Sequence, residues 1–142
     1  MDFKTFLSKY SEIDSKFLDK YFAIFSEELI LKRDEFVIDL DLLCDFLRVS
    51  RKDGLTATLK RSYRLNKDYI THGITDKKGS GGHNKKIYML TPFAAKRLCL
   101  STRSPMGPVI RAYFIEMEFV LYKYHKYIIK GLRRKMRQLE NK

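Results

Sequence analysis

The order of structural elements is decided by residues 69–118, which read YITHGITDKKGSGGHNKKIYMLTPFAAKRLCLSTRSPMGPVIRAYFIEME. Alternating β-prone residues over 69–75 and again over 85–90 predict two strands that pair as a hairpin. Three glycines and neighbouring lysines lie between them, which predicts an open loop rather than a rigid turn. Thr91 followed by Pro92 is a typical helix start, with threonine at the cap and proline in the first turn. A turn that contains proline and glycine then leads into a long final helix.

The segment before the hairpin predicts two helices joined by a short turn. A short strand at 36–38 leads into a helix over about 39–47, where apolar residues repeat at helical spacing. Ser50 followed by Asp53 matches a capping signal, so a second helix is predicted over about 51–63. This arrangement is typical of a helix-turn-helix, although any helical hairpin has a similar pattern. The predicted inner face of the first helix comprises Leu40, Leu43, Cys44 and Leu47.

Both ends of the chain are also predicted to be helical. Residues 1–34 form an arm that is acidic on its polar side, and Ser11 has the capping-box spacing that starts its second part. The final helix is predicted over about 109–138, with apolar residues at the alternating spacing of a coiled-coil seam. A long helix that lies on the core of its own domain is the alternative. The predicted homodimer seam comprises Phe114, Met117, Leu121, Tyr124 and Ile128.

The positive charge is concentrated after residue 50. Residues 1–50 carry 7 Lys+Arg and 11 Asp+Glu, a net charge of −4, whereas residues 51–142 carry 22 and 6, a net charge of +16. A surplus separated in this way attracts polyanions. A surface made basic only for solubility would carry balancing acids, which the second part lacks.

The bulk composition predicts one globular, intracellular domain with appendages. The chain has 142 residues, of which 44% are hydrophobic, enough to bury a core. No apolar run approaches the roughly 20 residues that span a membrane, so we expect no membrane partner. Cys44 and Cys99 are predicted to be buried free thiols.

Enzyme chemistry is not expected. His72, His83 and His125 are isolated from one another in sequence, so the spacing of a zinc site is missing. The loop also lacks the spacing of a nucleotide-binding P-loop. We therefore expect no catalytic residue, no cofactor, no metal and no small-molecule substrate.

Three pieces of sequence resemble a known family: DYI at 68–70, YMLTPFAAK at 88–96 and RxYFIExE at 111–118. They are similar to the KilA-N/Bro-N/AntA superfamily, the helix-turn-helix-like N-terminal DNA-binding module of large DNA virus (iridovirus/poxvirus-type) and phage antirepressor proteins. The resemblance implies nucleic-acid binding without catalysis and a viral or phage origin, with the host nucleus or a cytoplasmic viral factory as location. It also implies a structural role for Arg111, paired with Glu116 or a backbone carbonyl.

Three basic groups are the predicted contacts to double-stranded DNA. The second helix of the pair presents donors suited to the major groove. The glycine loop suits the phosphate backbone or the minor groove, like the wing of a winged helix, and a third group surrounds the short helix after the hairpin. A solvated basic surface is the alternative for each. The predicted DNA-binding residues are Arg51, Lys52, Thr56, Lys60, Arg61, Arg64, Lys77, Lys78, His83, Lys85, Lys86, Lys96, Arg97 and Arg103.

Together these patterns predict a mainly helical α+β fold with a helix-turn-helix-like pair, a β-hairpin wing, a helical N-terminal arm and a long C-terminal helix. The predicted domains are the arm at 1–34, a DNA-binding domain at 35–125 and a basic helical extension at 126–142. The predicted function is sequence-tolerant or sequence-specific binding of double-stranded DNA, in regulation of transcription or replication or in DNA organisation. The alternative is an antirepressor-like protein–protein interaction module that works through the arm and the C-terminal helix.

Overall fold

The computed structural model describes residues 1–74 and 85–141 and is mainly helical with one small antiparallel sheet, which confirms the predicted fold class. The helices are α1 (Phe3–Tyr10), α2 (Ser15–Ile24), α3 (Glu27–Leu31), α4 (Leu40–Leu47), α5 (Lys52–Ser62), α6 (Pro92–Ser101) and α7 (Gly107–Glu140). The strands are β1 (Ile38–Asp39), β2 (Tyr69–Ile74) and β3 (Lys85–Leu90).

The chain divides into two compact units. Unit 1 comprises Met1–Asp19 and Arg111–Lys142, and unit 2 comprises Lys20–Ile110. Unit 2 therefore contains the helix pair α4–α5, the sheet and α6. The predicted domains at 1–34, 35–125 and 126–142 follow a different division and stay a prediction.

The predicted hairpin is present in unit 2. Strand β3 lies at the centre of the sheet in the order β1-β3-β2, and both of its neighbours are antiparallel to it. The short strand predicted at 36–38 begins later, because only Ile38 and Asp39 are in register with β3. Val37 contributes one backbone bond, from its N–H to the Leu90 carbonyl at 3.1 Å.

The helix pair forms as predicted, but the residues that end α4 and start α5 differ from the prediction. Asp39 caps α4 by accepting a hydrogen bond from the Asp41 N–H at 2.8 Å. Helix α4 ends at Leu47, and the cap residue that follows, Arg48, takes the left-handed conformation with φ 55° that glycine often supplies. The predicted Ser50 cap is wrong: α5 starts at Lys52, so the cap position falls on Arg51, which makes no side-chain capping bond. The predicted inner face of α4 is buried, and Phe46 is buried with it.

Helix α6 starts as the sequence predicts. The Thr91 hydroxyl accepts a hydrogen bond from the Ala94 N–H at 3.1 Å, and Pro92 occupies the first turn. Both predicted thiols, Cys44 and Cys99, are free and buried. The side chains that α6 buries are Pro92, Ala94, Ala95, Leu98 and Cys99.

In the N-terminal arm, α1 and α2 are separated differently from the prediction. The capping role of Ser11 is wrong, because its hydroxyl donates to the Leu7 carbonyl at 2.7 Å and so belongs to the end of α1. The start of α2 is held instead by the Asp14 carboxylate, which accepts from the Lys16 N–H at 2.9 Å. A third helix, α3, follows with Ser26 as its cap.

The aromatic residues of α7 pack inside unit 1. The Tyr124 ring lies 5.4 Å from the Phe3 ring and 5.2 Å from the Phe6 ring, and its hydroxyl donates to the Met1 carbonyl at 2.8 Å. Tyr113 lies edge-on to Phe17 at 4.7 Å. The side of α7 that carries much of the predicted seam is therefore in contact with α1 and the start of α2. Across 1–74 and 85–141, no helix is long and apolar enough to cross a membrane.

Candidate nucleic-acid interface

Lys52, predicted to contact DNA, joins three elements of unit 2. Its ammonium lies 2.8 Å from Asp41 Oδ1 and 3.3 Å from the Lys86 carbonyl oxygen. It also lies 5.4 Å from the centre of the Tyr88 ring. Since the carboxylate belongs to α4 and both the carbonyl and the ring belong to β3, Lys52 holds α5 beside α4 and the hairpin.

The basic residues of α5 do not share one face. At about 100° per residue, Lys52, Thr56 and Lys60 occupy one flank of the helix, and Arg61 lies about 100° beyond Lys60. Thr56 donates its hydroxyl proton to the Asp53 carbonyl at 3.0 Å. The predicted recognition face is therefore divided between a flank that carries Lys52 and a flank that carries Arg61.

Arg61 lines a cleft of about 560 Å³ between α5 and α6. Arg97 of α6 and Arg103, which follows α6, line the same cleft, and all three side chains are exposed. Among the described residues, no carboxylate lies within ion-pairing distance of these guanidinium groups. We call this site the arginine cleft: three cations brought together from segments distant in sequence.

Tyr63 also lines the arginine cleft and is only 7% exposed. The Arg97 guanidinium lies 4.5 Å from the centre of its ring, a cation–π contact that leaves the in-plane N–H donors available. In the described part of the chain, the Tyr63 hydroxyl has no well-formed hydrogen bond. Burial raises the pKa of Tyr63, with the Ser101 hydroxyl and Arg97 acting against it, so the hydroxyl stays a proton donor at neutral pH.

A second cavity of about 360 Å³ adjoins the arginine cleft, because Arg97 lines both. Its acids are Asp34 and Asp68, and Asp68 already accepts a hydrogen bond from the Arg64 N–H at 2.8 Å. Six cations against two carboxylates give the combined region a net charge of +4. We call this region the arginine surface; its cations are Arg33, Arg61, Arg64, Lys67, Arg97 and Arg103.

The sequence patterns did not predict Arg33 or Lys67 as part of a basic site. Arg33 follows α3 and Lys67 lies in the turn before β2, so neither belongs to a periodic pattern. Their one sequence signal is the surplus of positive charge, which does not select individual residues. Folding places both in the cavity that Arg97 lines.

Lys96 faces a different region, an apolar groove of about 570 Å³ between α3 and α6. Its ammonium lies 5.5 Å from the ring centres of Tyr21 and Phe25. Burial lowers the pKa of Lys96. The apolar lining comprises Ile30, Pro92, Phe93 and Leu100, with Arg33 and Arg97 at the groove as well.

The other predicted residues are divided between exposed positions and positions that the structure does not describe. Arg51, Lys60 and Lys86 are exposed and line neither the arginine cleft nor the cavity beside it. The predicted loop contacts Lys77, Lys78 and His83 lie outside the described residues, as does the side chain of Lys85.

The expected pairing of Arg111 with Glu116 is not formed: among the described side chains, no ion pair joins the two. Tyr113 and Phe114, which follow Arg111 in the same motif, are both partly buried.

Burial keeps the Cys44 and Cys99 thiols protonated. Burial raises the pKa of Cys99 to about 12 and also raises the pKa of Cys44, and a protonated thiol is a poor nucleophile. In residues 1–74 and 85–141, no cluster of three or more His, Cys, Asp or Glu side chains has the arrangement of a metal site.

Comparison with known proteins identifies no relative: the chain matches no protein-family model, no curated protein and no solved structure. The resemblance to the KilA-N/Bro-N/AntA superfamily therefore stays a prediction from the sequence.

Proposed function

We propose that this protein binds double-stranded DNA through the arginine surface of unit 2. The observation that carries the proposal is the arginine cleft, where Arg61, Arg97 and Arg103 meet without a described carboxylate partner. Exposed cations without such partners are attracted to polyanions over several ångströms. The surplus of positive charge after residue 50 acts in the same direction.

The chemistry of the cleft favours phosphate as the contacted group. Guanidinium is a planar fork that donates two parallel hydrogen bonds to one phosphate, which lysine does not do. Five of the six cations of the arginine surface are arginines. Arg97 is stacked on the Tyr63 ring, so less side-chain freedom is lost when it binds an oxygen.

The proposed contacts are mainly to the DNA backbone. Phosphate contacts give affinity and register, whereas sequence is read at base edges. The arginine surface offers many donors to phosphate, and Arg51, at the cap position of α5, and Lys60 of α5 are exposed cations outside it. We therefore propose sequence-tolerant binding, and the resemblance to viral and phage DNA-binding modules suggests a role in regulation or DNA organisation.

A titration of a random DNA duplex followed by fluorescence polarisation, at several salt concentrations, tests this function. Neutralising about four to seven phosphates predicts a slope of about −4 to −6 when the logarithm of the binding constant is plotted against the logarithm of salt. A single-stranded competitor should displace the duplex poorly. A slope near zero, or no binding at low salt, would remove the proposal.

The apolar groove between α3 and α6 favours a protein ligand as a second candidate. Phe93 is 54% exposed and Leu100 is 43% exposed at this groove, and exposed apolar side chains grouped in this way are typical of interaction sites. A capture experiment separates the two functions. Ile30→Ser/Leu100→Ser should abolish the binding of a groove-bound partner and leave duplex binding unchanged, because both residues line the groove and neither lines the arginine cleft or the cavity beside it. Arg61→Glu/Arg103→Glu should abolish duplex binding and leave the groove-bound partner in place.

A further inference from the structure

Helix α7 carries an exposed stripe of large apolar side chains. Ile115, Tyr122, Ile129 and Met136 follow one another at intervals of seven residues. Their exposed fractions are 70%, 65%, 46% and 60%. The stripe extends over about 32 Å at the helical rise of about 1.5 Å per residue. Phe119, which is 56% exposed, lies beside it.

The exposed stripe lies opposite the face that packs inside unit 1. Tyr113, Tyr124 and Tyr127 contact the aromatic rings of α1 and α2, and at about 100° per residue they centre about 180° from the stripe. The stripe is therefore not the predicted seam of Phe114, Met117, Leu121, Tyr124 and Ile128. Seven-residue spacing of apolar residues is the pattern by which one helix packs along another.

The charges along α7 indicate which helix would fit. Residues 107–124 carry two cations and two anions, a net charge of zero, and include Glu116 and Glu118. Residues 125–140 carry six cations and one anion, a net charge of +5. A parallel pair of such helices would place +5 beside +5. An antiparallel pair places each basic half beside the half that contains the two glutamates.

We propose that two copies of this chain form an antiparallel homodimer through the stripe of Ile115, Tyr122, Ile129 and Met136. The antiparallel arrangement keeps the two basic halves apart and places Glu116 and Glu118 of each copy beside the basic half of the other, so the same contacts form twice, as a two-fold symmetric interface requires. Lys126 and Arg133 interrupt the apolar positions of the repeat. Such interruptions lower dimer stability but restrict the register, so we expect dissociation in the micromolar range.

Cross-linking with single cysteines tests the orientation. Ile115→Cys and Met136→Cys lie at opposite ends of the stripe, so an antiparallel dimer brings the two different variants together. When the two variants are mixed, a short bismaleimide should cross-link one to the other. When either variant is tested by itself, no cross-linked dimer should form. Cross-linking of each variant alone would overturn the antiparallel arrangement. The wild-type chain serves as the background control because Cys44 and Cys99 are buried.

Sedimentation equilibrium tests the dimer itself. Ile115→Lys/Tyr122→Lys should convert the dimer to a monomer by placing charges in the stripe. The matched control, Leu31→Lys/Leu42→Lys, also replaces two exposed apolar residues, which are 78% and 51% exposed in unit 2, and should stay dimeric. A native chain that remains monomeric at concentrations on the order of 100 µM would overturn the proposal. So would an Ile115→Lys/Tyr122→Lys protein that remains dimeric.

Discussion

The arginine cleft and the C-terminal end of α7 are both strongly basic, yet they differ in every other respect. The cleft collects Arg61, Arg97 and Arg103 from separate segments around a concave surface, above a buried tyrosine hydroxyl. The end of α7 carries its cations on a single exposed helix. Those cations are Lys130, Arg133, Arg134, Lys135 and Arg137. A high density of charge along the sequence therefore does not by itself predict a shaped cluster of cations.

Shape explains why the two regions should behave differently toward a polyanion. A concave wall of protein focuses the field of its charges, whereas charges on an exposed helix are surrounded by water and screened by salt. The cleft also limits the motion of one of its donors, since the Arg97 guanidinium is stacked on the Tyr63 ring. We therefore expect the same number of charges to contribute more to DNA binding at the cleft.

The largest expected difference between the two regions is in how much a buried or exposed leucine contributes to the stability of the fold. Leu59 lies on the inner face of α5 and is fully buried, whereas Leu132 of α7 is 55% exposed. Leu59→Ala should lower the free energy of unfolding by about 2–5 kcal/mol because it leaves a cavity, whereas Leu132→Ala should change it by less than about 0.5 kcal/mol. Urea denaturation measures both. If both substitutions lowered the free energy of unfolding equally, the packing of α5 and the exposure of the C-terminal end of α7 would not differ as described.

A smaller loss of stability is expected when Lys52 is replaced. This substitution tests whether Lys52 stabilises the fold or contacts DNA. Lys52→Met should lower the free energy of unfolding by about 0.5–1 kcal/mol, since its ion pair with Asp41 is partly exposed to water. Duplex affinity should fall less than for Arg61→Met. Lys60→Met is the matched control on the same flank of α5 and should leave stability nearly unchanged. If Lys52→Met kept its stability but lost duplex binding, Lys52 would be a DNA contact and not a structural cation.

The sequence was a good guide where a signal lies within a few neighbouring residues. The Thr91 cap, the hairpin strands and the inner face of α4 were all predicted correctly, because each depends on local spacing. The same capping pattern failed at Ser11 and Ser50. Ser11 serves the end of α1, and the left-handed turn at Arg48 precedes an α5 that starts at Lys52.

The candidate site was harder to predict because it depends on packing between distant segments. Arg61 and Arg97 are 36 positions apart in sequence, and no local spacing shows that they share a cleft. Lys52 looks like an exposed donor on a helical wheel, but Asp41 of the preceding helix neutralises it. Arg33 and Lys67 lie outside periodic segments and become part of the arginine surface only through the fold.

The salt dependence of duplex binding, compared between two matched double variants, tests whether the arginine cleft binds DNA. Arg61→Gln/Arg103→Gln and Arg134→Gln/Arg137→Gln each remove two positive charges, the first pair from the arginine cleft and the second from the end of α7. We expect the cleft variant to have a salt slope that is shallower by about 2, because two phosphate contacts are lost, and the α7 variant to have a slope close to the native one. A native slope for the cleft variant together with a shallower slope for the α7 variant would contradict DNA binding through the arginine cleft.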